Sequence, residues 1–142
     1  MMKQNDVTET IQKWLESARW HYRFDATHQY FDMNMLSKSQ LPFMRLIIDA
    51  HIQDFVIFYV ISPFKCDKVR HSALMEYLTR INYGLINGNF EMDVSGGWIR
   101  YKICITYAGL ESLPTEIISD SINRACFMMD KHAQRLREIC EG

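Results

Sequence analysis

The sequence predicts an α+β fold, an antiparallel sheet packed by helices in the order α-β-β-β-β-α-β-β-α. Three observations predict it. Apolar residues recur at helical spacing in three separate stretches. Between the first two, alternation with a period of two takes over, the mark of a sheet with one buried face. Residues 77–107, YLTRINYGLINGNFEMDVSGGWIRYKICITY, then read in turn as a helix end, a strand, a two-glycine turn and a second strand. Strands grouped between helices, instead of alternating singly with them, point to antiparallel pairing.

The first helix carries Val7, Ile11, Trp14, Leu15 and Ala18 on one stripe, with Asp6 and Glu9 placed as a capping box. Trp20, Tyr22 and Phe24 then alternate with His21, Arg23 and Asp25. Beyond a turn at Ala26-Thr27, Phe31, Met33 and Met35 alternate with Asp32 and Asn34, which makes a hairpin. The polar residues 37–40 turn the chain again. Residues 43–48 and 55–61 are apolar on both faces and rich in β-branched and aromatic side chains, as central strands are. Ser62-Pro63 is expected to stop the second of them, since proline donates nothing to a ladder.

Val69, Ala73, Tyr77, Leu78 and Ile81 mark a second helix, capped by Asp67 and closed by Gly84 in a positive-φ conformation. Folding the following hairpin at Gly96-Gly97 pairs Val94 with Ile99, Met92 with Tyr101 and Phe90 with Ile103. The same register sets Asp93 opposite Arg100 and Glu91 opposite Lys102, giving one apolar and one charge-matched face. The last helix starts near Pro114 and keeps Ile118, Ile122, Ala125, Met129, Ala133, Leu136 and Cys140 on one side, with Arg135 and Arg137 in its final turns. No repeat, low-complexity tract or linker divides the chain, so residues 1–142 read as a single domain.

With 142 residues, 48% apolar and 23% charged, the composition is that of a globular protein. Sixteen basic against seventeen acidic side chains leave a net charge of -1, so no global attraction to nucleic acid or an anionic membrane is expected. Cys66, Cys104, Cys126 and Cys140 form no C-x-x-C pair and read as reduced packing thiols. The N-terminal MMKQNDVTET has no signal-peptide pattern and no apolar run is long enough for a membrane helix, so a cytoplasmic protein is expected.

No constellation points to catalysis. Glu91 and Asp93 share a strand face with basic cross-strand partners, which favours a solvated ion-pair face over acid–base chemistry. His21 and His28 lie in one hairpin, but no third ligand is near in sequence and a zinc site needs three or four. His132 sits beside the stripe of the last helix, as a half-buried structural histidine does. Cys104 falls near Lys102, which would favour a thiolate, although packing is the commoner role. Gly84, Gly88, Gly96 and Gly97 belong to a cap and turns and match no phosphate-binding loop. Trp98 is the outlier: the register places its ring on the polar face, where tryptophan often marks contact with another chain. No cofactor and no metal site is expected.

Arg80-Ile81-Asn82-Tyr83-Gly84-Leu85, then Gly88-Asn89-Phe90-Glu91-Met92-Asp93, then Ile99-Arg100-Tyr101-Lys102, preceded by Ser62-Pro63-Phe64, resembles the YbjN family of bacterial proteins, which shares an N-Y-G-L … G-N-F-E-x-D … R-Y-K run. Outside this stretch the chain matches only in the order of its elements. The resemblance implies a type III secretion chaperone-like fold, commonly dimeric, and a role in binding another protein. The family is described as a sensory-transduction regulator and supplies no catalytic residues. The expectation is therefore a non-enzymatic protein-binding module, chaperone-like or regulatory, acting as a cytoplasmic homodimer with Trp98 as a partner contact. Its partner would engage a helix groove or an exposed sheet edge. Nine methionines, among them Met33, Met35, Met44, Met128 and Met129, are compatible with an adaptable surface. The alternative is a small-ligand sensor with a pocket between the sheet and the last helix.

Overall fold

A computed structural model describes residues 1–39 and 41–142. Its elements follow the anticipated order: α1 (Gln4–Ser17), β1 (Arg23–Asp25), β2 (Tyr30–Met35), β3 (Met44–Asp49), β4 (Phe55–Lys65), a 3-10 turn (Lys68–Arg70), α2 (His71–Tyr83), β5 (Asn89–Met92), β6 (Trp98–Thr106) and α3 (Thr115–Glu141). The strands form a six-stranded sheet in the order β1-β2-β3-β4-β6-β5, every neighbour antiparallel. Gln40, part of the expected polar turn, lies outside the described residues.

The two faces of the sheet have different fates. Phe31, Leu46, Ile48, Val56, Phe58, Val60, Ile99, Tyr101 and Ile103 share one face by register and are all buried. Against them packs the α3 stripe, where Ile118, Ile122, Ala125, Met129, Ala133, Leu136 and Cys140 are buried as their spacing predicts. Val7, Ile11 and Leu15 of α1 join the same core. The opposite face carries Arg45, Ile47, Ile57, Tyr59, Ile61, Trp98, Arg100, Lys102 and Cys104, all exposed or half-buried, and no described helix covers it.

Several expectations are corrected. The β5–β6 register pairs Met92 with Ile99, Phe90 with Tyr101 and Glu91 with Arg100, two residues from the anticipated alignment. The connection is a wider loop in which the Asp93 N–H donates to the Trp98 carbonyl at 2.9 Å and the Gly97 N–H donates to the Asp93 carbonyl at 2.6 Å. A shift of two preserves which side chains share a face, so the apolar and charged faces survive. Asp93 loses Arg100 as a partner, and its carboxylate instead accepts from the Ser95 N–H at 3.0 Å.

β4 runs through Pro63 to Lys65 instead of stopping there. Its ladder with β3 ends at Ile61, and a bulge between Ile61 and Lys65 against β6 spares Pro63 the need to donate. Gly84 closes α2 at φ -96, an ordinary conformation, so the positive φ is not required there. Val69 and Ala73 are exposed, and Leu74 with Leu78 forms the buried stripe of α2. α1 begins at Gln4, so Asp6 sits in its first turn and accepts from the Lys3 N–H at 3.1 Å instead of acting as the cap. Asp67 precedes the 3-10 turn without a side-chain capping bond.

Candidate functional site

The uncovered sheet face is built in rows by the pairing. Arg45 on β3, Ile61 on β4 and Arg100 on β6 are direct cross-strand neighbours, and Ile47, Tyr59 and Lys102 make the next row. Ile57, Tyr59, Ile61 and Pro63 therefore form an apolar spine along β4, flanked by bases on both sides. Period-two alternation dictates this, because every second residue of a strand falls on one face.

The bases are fixed by carboxylates set beneath them. Asp32 accepts two bonds from Arg45, from Nε at 2.9 Å and Nη2 at 2.6 Å, and a third from Arg23 Nη2 at 3.2 Å. This fork, led by Arg45, holds the Asp32 carboxyl below its usual range against the effect of burial. Glu91 meets Arg100 Nε at 2.7 Å and Lys102 Nζ at 3.0 Å. Burial would raise its pKa, but the bonds from Lys102 and Arg100 outweigh it and the net shift is downward. The Arg100 guanidinium also lies 4.3 Å from the centroid of the Tyr59 ring.

At the bulged end of β4 the face sinks into an open depression of about 740 Å³, lined by Phe43, Arg45, Ile61, Pro63, Met92, Trp98 and Arg100 among others. Trp98 forms one wall. The residue is 39% exposed, and the Lys65 ammonium lies 5.0 Å from its ring centroid. Phe43, 41% exposed, stands on the other side. Sequence reading singled out Trp98 and missed Phe43, Arg45, Ile61 and Pro63. The signal for Arg45 was present in the alternation of residues 43–48, which leaves one cation among apolar neighbours.

The β5 edge is clamped at one residue. On β5 the Asn82 amide takes the place of a neighbouring strand: its Oδ1 accepts from the Phe90 N–H at 2.8 Å and its Nδ2 donates to the Phe90 carbonyl at 3.0 Å. The opposite edge, β1, is three residues long.

The remaining candidates make local contacts within the fold. His28 Nδ1 pairs with Asp25 at 3.0 Å. Among the described residues no group of three or more His, Cys, Asp or Glu side chains converges. His132 Nδ1 meets the Tyr77 hydroxyl at 2.7 Å beside Phe90, tying α3 to α2, and burial followed by the Lys131 charge lowers its pKa. Cys104 is exposed and its thiol is raised by burial despite Lys102, which runs against the thiolate reading. Cys126 is pushed up to about 12 by burial. All four cysteines are free. Of the methionines, Met33, Met44 and Met129 are buried, so gap-filling in the core accounts for them. The space between sheet and α3, where a ligand pocket was envisaged, is filled by the buried side chains named above, and the depression lies on the other face.

No family model matches the chain, and no curated protein matches it. Solved structures do. YbjN from E. coli, proposed as a transcription regulator, superposes with a TM-score of 0.63 at 11% identity over 90% of this chain and 92% of that one. An uncharacterized protein from Methanothermobacter thermautotrophicus gives 0.61 at 14% identity over 94% and 99%. A chain of the HopA1-SchA chaperone-effector complex gives 0.53 at 12% identity over the full length of both. No helix among the described residues is long and apolar enough to cross a membrane. The chain thus has the α+β fold of YbjN and of the chaperone-effector structure, an antiparallel sheet packed by helices.

Proposed function

We propose that residues 1–142 form a single YbjN-like domain that works as a non-enzymatic protein-binding module, chaperone-like or regulatory, with Trp98 as a partner contact. The observation that carries this reading is the uncovered sheet face. It has an apolar spine and a depression walled by Trp98 and Phe43. Burying an exposed aromatic wall and an aliphatic spine is the usual source of affinity in protein interfaces. The chaperone-effector complex among the structural neighbours is in keeping with it. The protein is proposed to act in the cytoplasm as a homodimer, for which exposed Met75 and Tyr83 of α2 offer apolar surface away from the sheet face.

The test is affinity capture of the tagged protein from its own cells, in parallel with Trp98→Ala, and mass measurement in solution. The expected result is a partner retained by the natural chain and lost by Trp98→Ala at unchanged melting temperature. The solution mass should be twice the 16.8 kDa of one chain. Equal capture by both proteins would remove Trp98 from the interface, and a monomer would remove the dimer. A metabolite that raises the melting temperature with no protein partner retained would favour the ligand-sensor alternative, seated in the Trp98 depression.

A further inference from the structure

The ion pairs of the sheet face are arranged differently from those on the helices. Asp32 is 9% exposed, while Arg45 above it is 45% and Arg23 is 86% exposed. Glu91 is 29% exposed, beneath Arg100 at 44% and level with Lys102 at 31%. On α3, Arg124 and Asp120 are equally open at 60% and 59%. Each recessed carboxylate on the sheet is also shared by two cations, Asp32 by Arg23 and Arg45, Glu91 by Arg100 and Lys102. Lys65 adds a fifth base over Trp98. The remaining carboxylate at the depression, Asp93, is bound into its own loop through the Ser95 N–H. Around the depression and the adjoining row five bases thus stand with three carboxylates, while Asp25 and Asp49 add two carboxylates at the far end of the same face. At the far end Asp25 and Asp49 lie under His28 and His51, the same order of base over acid.

The backbone decides the occupant's conformation. Strands lying side by side within a sheet have spent their N–H and C=O groups on one another, so a segment laid on the face must satisfy its own. A helix does so; an extended strand does not. Arg45 and Arg100 lie two strands apart, roughly 10 Å, which matches the roughly 10 Å diameter of a helix resting on Ile61 between them. A second copy meeting the depression end with its own would bring two base-rich surfaces together, which disfavours self-association at that end.

We propose that the occupant of this face is an amphipathic helix of a partner protein whose apolar stripe is flanked by carboxylates. The stripe lies on Ile57, Tyr59, Ile61 and Pro63 and ends in the depression at Trp98, and the flanking carboxylates meet Arg45 on one side and Arg100, Lys102 and Lys65 on the other. This assignment rests on the protein-binding reading above.

The test uses three fluorescein-labelled three-heptad peptides and fluorescence anisotropy. One carries Leu at the a and d positions with Glu at e and g, the second replaces those Glu by Lys, and the third keeps Glu but replaces Leu by Ser. The acid-flanked Leu peptide is expected to bind at least about tenfold more tightly than the Lys-flanked one at low salt, a difference that shrinks as salt screens it. The Ser peptide is expected not to bind. Arg100→Gln should erase most of the difference, and Lys65→Glu, which unpairs no buried carboxylate, should reduce it without altering the melting temperature. Equal binding of the Glu and Lys peptides overturns the acidic assignment and leaves the binding face standing. Failure of both Leu peptides while cellular capture still depends on Trp98 overturns the helix assignment alone. Capture and peptide binding both insensitive to Trp98→Ala overturn the underlying reading.

Discussion

Gly97 and Gly84 look alike in sequence and differ in what the backbone asks of them. Gly97 has φ +77, and a Cβ there would fall 2.5 Å from the Cys66 carbonyl oxygen. Gly84 has negative φ and open space around it. Gly97→Ala is therefore expected to cost about 1–3 kcal/mol, whereas Gly84→Ala should leave stability unchanged or raise it by up to about 1 kcal/mol. Urea unfolding of the two variants checks both, and equal losses would contradict this account of the loop. The hydroxyl of Tyr107 makes the complementary case. It is buried with no hydrogen-bond partner among the described residues, so Tyr107→Phe should be neutral or stabilising by about 1 kcal/mol in the same experiment.

Among the elements, β5 and the β2–β3 pair depend on single polar side chains. Asn82→Ala strips both edge bonds from Phe90 and should cost about 1–3 kcal/mol, with faster amide exchange confined to β5 and β6. Asp32 has a depressed folded pKa, so its contribution is present above the unfolded value near 3.8 and is lost as pH falls through the folded value. Asp32→Asn should flatten that acid limb of the stability–pH curve. His132 is also depressed, by burial and then by Lys131. Its contribution is thus full above 6.5 and declines as pH falls toward its folded value, a slope that His132→Gln should remove.

These elements also mark where sequence was sufficient. The α3 stripe was legible in full, because seven apolar positions at one helical period admit one burial pattern. The hairpin faces were legible but their register was not: a shift of two keeps the same side chains on each face, and the loop from Asp93 to Gly97 decides the alignment even though Asp93 gives up Arg100. Val69 misled because an apolar residue before a helix can sit on an exposed 3-10 turn. The Asp32 fork and the Asn82 clamp join residues from different elements, which spacing along one chain does not reveal.

At the scale of the whole molecule, one face of the sheet is used to fold and the other is left open, and the account assigns partner binding to the open one. Alternation produces both faces from the same strands, so a charge inserted on the open face should spare the core. The most direct measurement compares capture by Ile61→Asp on the sheet face with capture by Phe127→Asp, an exposed position on α3. With both variants folded by circular dichroism and melting temperature, the account predicts that Ile61→Asp loses the partner and Phe127→Asp keeps it. The reverse pattern would place the binding surface on the helices and contradict the account.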